Sequence, residues 1–125
     1  MDKDFEGEMM LPMTDLLDLQ SGGAGNMARD MIENRFAYEL IDFISAIAVS
    51  PLCVKRTTRA TYSRAVFAKR MRQMGMSLTN IGQLINKNHS TVTYYLKLVD
   101  DALAYPRQFI EINRLWNKVT QRYPL

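Results

Sequence analysis

The chain has 125 residues, 47% hydrophobic and 23% charged, with a net charge of +3; this is the balance of one small packed domain with a tail. One cysteine, Cys53, and one histidine, His89, exclude an intrachain disulfide and a Cys/His zinc site. No apolar run reaches the length of a membrane span, and the start Met1-Asp2-Lys3-Asp4-Phe5-Glu6 lacks the basic and apolar segments of an export signal, so a reducing cytoplasm is the expected setting.

Residues 1–25 read as a flexible acidic tail closed by the linker Ser21-Gly22-Gly23-Ala24-Gly25, with residues 26–125 as the helical domain. Within the tail, Met13 to Leu19 form a short amphipathic segment suited to docking on a protein partner, and the acids of residues 1–18 are candidates to compete with a polyanion for the basic region. A first helix is expected from Asn26 to Ala48, with Phe36, Leu40, Phe43, Ile44 and Ile47 on one buried stripe. Ser50-Pro51 ends it, because the residue before proline is driven from helical geometry.

A basic connector follows, Lys55-Arg56-Thr57-Thr58-Arg59. A second helix is expected from Thr61 to Met74, stopped by Gly75. Ser77 is an N-cap for a short third helix whose apolar face is Leu78, Ile81, Leu84 and Ile85. Asn86-Lys87-Asn88 is a turn, and Asn88 caps a fourth helix in which Val92, Leu96 and Val99 face inward with Tyr95 at the edge. A last helix is expected near Pro106, with Phe109, Ile112, Trp116 and Val119 buried. Nothing reads as a strand, so the fold class is all-α.

Charge is unevenly distributed. Residues 1–54 hold ten acids and three bases, whereas residues 55–99 hold nine bases and no acid. A field of that sign and length points to a polyanion. Between Ser77 and Leu96 two short helices flank a tight polar turn, and the second opens on small and polar residues. This is the pattern of a helix-turn-helix, whose second helix enters the major groove by its N-terminal end. Gly82, costly in mid-helix, suggests a close crossing. No nucleophile–base pair, carboxylate dyad or phosphate-cradling Gly-x-x-x-x-Gly-Lys loop occurs in the chain, so no enzyme activity and no cofactor are expected.

Ser77-Leu78, Ile81-Gly82 and His89-Ser90-Thr91-Val92 resemble the signature of the C-terminal DNA-binding domain of the bacterial replication initiator DnaA, over about residues 35–120. The resemblance implies a DnaA-type, Trp-repressor-like helix-turn-helix without the family's ATPase module. It also implies major-groove base contacts from Asn88, His89, Ser90 and Thr91, and minor-groove contacts from the basic loop Lys55, Arg56 and Arg59. Backbone contacts would come from Arg64, Ser77, Leu78, Thr79 and Lys87.

Three features depart from the family pattern. The spacer between Gly82 and His89 is one residue short, the family's Gly-Gly gives way to Asn86, and Lys87-Asn88 stands where the family has Arg-Asp. Asn88 could pair bidentately with adenine. The expected function is sequence-specific binding of double-stranded DNA in replication or transcription control of a bacterium, phage or mobile element, with a dimer on DNA allowed. The alternative is a protein-interaction adaptor that keeps the fold and not the DNA.

Overall fold

The computed structural model describes residues 24–125, with side chains from residue 34 onward. Five helices are present among them: α1 (Ala24–Ile47), α2 (Thr58–Gln73), α3 (Leu78–Ile85), α4 (His89–Ala104) and α5 (Ile110–Arg122). There are no strands among the described residues, so this part of the chain is all-α. The docking segment Met13–Leu19 and the acids of residues 1–18 lie outside the described residues. Residues 36–125 form one compact unit. Residues 24–35 belong to a separate unit and are described only as the leading part of α1.

Each helix of the compact unit begins or ends for a local reason. The Thr57 hydroxyl accepts the Ala60 N–H at 3.2 Å and starts α2 three residues before the expected Thr61, which places Thr58 and Arg59 in the first helical turn. Gly75, at φ 97°, reverses the chain after α2, a backbone region glycine enters without a Cβ clash. The Ser77 hydroxyl accepts the Asn80 N–H at 3.1 Å and caps α3 as expected. α5 begins at Ile110, not near Pro106, and its N-cap Phe109 has no side-chain cap bond. Pro106, Arg107 and Gln108 form a separate turn, in which the Gln108 N–H bonds the Tyr105 carbonyl.

The core gathers one face of every helix. Leu40, Ile41 and Ile44 of α1 meet Val66, Phe67 and Met71 of α2, Ile81 and Ile85 of α3, Val92 and Val99 of α4, and Ile112, Trp116 and Val119 of α5 in one buried cluster. Phe67 is wholly buried; its removal from water stabilises by about 1.5–3 kcal/mol. Two expectations for the core are corrected. Ile47, at the end of α1, is 37% exposed, because the cluster closes at Ile44 one turn earlier. Tyr95 is not an edge residue: its ring is 4% exposed, because its hydroxyl meets a buried guanidinium rather than water.

α2 is the central helix, in contact with α3, α4 and α5. Two of its arginines are inside the fold. Arg70 is buried, donates to the Gln73 side chain at 2.9 Å and to the Tyr123 carbonyl, and lies over the Trp116 ring. Burial draws its pKa down from the ordinary arginine value, while the two acceptors and the ring face hold the charge.

Candidate nucleic-acid interface

The α3–α4 corner is built by three local devices. Asn86 takes the left-handed conformation (φ 57°, ψ 50°) at the end of α3, which asparagine tolerates better than most residues. The Lys87 N–H then bonds back to the Gly82 carbonyl at 2.8 Å. Asn88 restarts the helix, its Oδ1 accepting the Thr91 N–H at 2.9 Å. Gly82 is required for a reason more local than a helix crossing: a Cβ there would lie 2.2 Å from the Lys87 carbonyl oxygen and only at ordinary contact distance, 3.5 Å, from Val92 of α4. The returning turn, rather than the second helix, fills the space.

This corner leaves the first turn of α4 open to solvent. Asn88, His89 and Ser90 are exposed and Thr91 is half-buried. Thr79, Gln83, Asn86, Lys87, Asn88 and His89 line a shallow cleft of about 420 Å³ between α3 and the start of α4. The Asn88 oxygen is engaged in capping, so its amide N–H donors are what it turns outward. Thr79 is exposed, the Ser77 hydroxyl is held by its cap, and Leu78 packs on the core, leaving its backbone rather than its side chain for an external contact.

Two residues beyond the expected set continue the open face of α4. Thr93 is exposed one turn after His89, and its hydroxyl bonds the His89 carbonyl at 3.0 Å. Tyr94, 56% exposed, stands one turn after Ser90. The i, i+4 spacing from His89 and Ser90 was the available signal for both.

The nine bases of residues 55–99 separate into two groups. Arg64 is 3% exposed and Arg70 is equally buried. Lys69 pairs with Asp100 at 2.7 Å and Lys97 with Asp101 at 3.3 Å, two acids lying immediately past the acid-free window. Arg72 donates to the Met76 carbonyl at 3.0 Å. Lys55, Arg56, Arg59 and Lys87 have no ion-pair or side-chain hydrogen-bond partner among the described residues. The first three are exposed and Lys87 is half-buried on the cleft.

Arg64, expected to contact the DNA backbone, has its donors turned into the fold. Its Nε donates to the Tyr95 hydroxyl at 2.9 Å, and one terminal nitrogen donates to the Cys53 carbonyl at 2.7 Å. The other terminal nitrogen makes longer contacts, both 3.5 Å, with the Lys55 carbonyl and the Thr61 hydroxyl. Buried and so bonded, it has no free fork for a phosphate.

No group of three or more metal-ligating side chains occurs among the described residues, and no described helix is long and apolar enough to cross a membrane. No family model, curated protein or solved structure matches this chain.

Proposed function

We propose that this chain binds double-stranded DNA, the α3–turn–α4 corner acting as a helix-turn-helix whose α4 N-terminus reads base edges in the major groove. The observation that carries the reading is the fate of the nine bases. Five of them are engaged by the fold itself, Arg64 and Arg70 in its interior and Lys69, Arg72 and Lys97 at its surface. The four it leaves available are three residues of the basic loop region and the one lysine beside the open turn of α4. Exposed donors at a helix N-terminus, next to a lysine and beside a polar cleft, suit a phosphodiester backbone with base edges behind it.

The motif resemblance to the DnaA DNA-binding domain gives this reading its finer form. His89, Ser90 and Thr91 are the base-reading residues, with Asn88 contributing amide donors. Lys55, Arg56 and Arg59 lie along the minor groove, while Lys87, Thr79 and the backbone at Ser77 and Leu78 hold phosphates. The biological role that goes with it is sequence-specific control of replication or transcription.

Fluorescence anisotropy with a random-sequence duplex at low salt tests DNA binding, and selection from a random duplex pool tests specificity. Binding that weakens with salt and enrichment of one site are expected. Failure to bind any duplex at low salt overturns the reading and favours the adaptor alternative.

A further inference from the structure

The basic loop is weakly held by the rest of the fold. Between Cys53, whose N–H bonds the Ser50 carbonyl at 3.0 Å, and the Thr57 cap of α2, no loop N–H makes a backbone hydrogen bond among the described residues. Val54 is 87% exposed, and Lys55 and Arg56 are also exposed, so no side chain in this stretch anchors it in the core. What does hold it is Arg64. One guanidinium takes the carbonyls of Cys53 and Lys55 on one side and the Tyr95 hydroxyl, on the second turn of α4, on the other. A planar fork with fixed donor directions sets a geometry that a flexible ammonium would not.

We propose that Arg64 and Tyr95 form a clamp that sets the position of the basic loop relative to α4, so that loop and helix meet the duplex in one register. Both are positioning residues and touch no nucleic acid. The clamp rests on the DNA-binding reading only for its consequence, not for its existence. Arg56 and the first turn of α4 are too far apart in sequence to be aligned by local structure. The alignment instead passes through the two buried side chains. Tyr95→Phe is the cleanest probe, because it keeps the buried ring and removes only the hydroxyl that Arg64 Nε needs.

Two measurements on the full chain test this. In the free protein, the NMR order parameters of the backbone at residues 54–57 are expected to fall in Tyr95→Phe and Arg64→Lys, with those of α3 unchanged. Unchanged loop order parameters in both variants overturn the clamp. With duplex DNA, Arg56→Ala is expected to weaken binding about tenfold in the parent, the equivalent of about 1.4 kcal/mol. In the Tyr95→Phe background the same change should have less than about a threefold effect, because the loop is already out of register. Lys87→Ala should weaken binding equally in both backgrounds. Equal effects of Arg56→Ala in the two backgrounds overturn the proposed register role. A parent chain that binds no duplex overturns the DNA reading and the register role with it, while the loop order parameters still decide whether the clamp exists.

Discussion

Asn88 and His89 are neighbours with different duties. Asn88 makes the N-cap of α4, so Asn88→Ala is expected to lower stability by about 1 kcal/mol, read by urea unfolding. His89 is exposed and its side chain makes no hydrogen bond among the described residues. His89→Ala should therefore leave stability unchanged and lower affinity for a selected site by about 1–3 kcal/mol while sparing random duplex; an equal loss on both DNAs would contradict a base contact. Arg64 is the opposite case. Arg64→Ala strands the Tyr95 hydroxyl inside the fold, at a cost of about 1–3 kcal/mol, and removes the bond to the half-buried Cys53 carbonyl. The variant should unfold at distinctly lower urea concentration, which a residue serving only as an exposed phosphate ligand would not show.

The α3–α4 corner depends on backbone more than on side-chain burial. Gly82→Ala raises intrinsic helix propensity by about 1 kcal/mol, yet its methyl would be driven against the Lys87 carbonyl. The clash wins, because the opposing atom is backbone fixed by the Lys87-to-Gly82 hydrogen bond. A net destabilisation of about 1–3 kcal/mol is expected by urea unfolding, with DNA affinity falling as the first turn of α4 is displaced. Asn86→Gly should be tolerated or mildly stabilising, since glycine adopts the left-handed region freely. The left-handed Asn86 makes the reversal at this corner, and α4 restarts two residues later at its cap.

For the whole molecule the informative quantity is the number of cations left for a polyanion. Nine bases acting together would give a salt slope of about −8, and the four left available after folding about −3.6. Anisotropy titrations across a range of potassium chloride concentrations are expected to give a slope of about −3 to −4. A slope of about −5.4 would mean that Lys69 and Lys97 leave Asp100 and Asp101 to meet DNA. Both pairs are partly exposed and weak by nature, so this measurement discriminates between a surface kept as folded and one that rearranges on binding.

Much of this organisation was legible in the sequence because it is local. Helical periodicity located α2 to α4 to within a few residues, and Ser77, Asn88 and Gly75 announced their roles by residue type at a boundary. Exposure of His89 and Ser90 follows from their place before the first buried residue of α4, Val92. The tertiary structure decided what depends on residues distant in the chain. Arg64 looks like any other base of an acid-free window until Tyr95, thirty-one positions away, and the Cys53 carbonyl close around it. Lys69 looks free until α4 brings Asp100 beside it. Composition counts charges, and only packing determines which of them still face solvent.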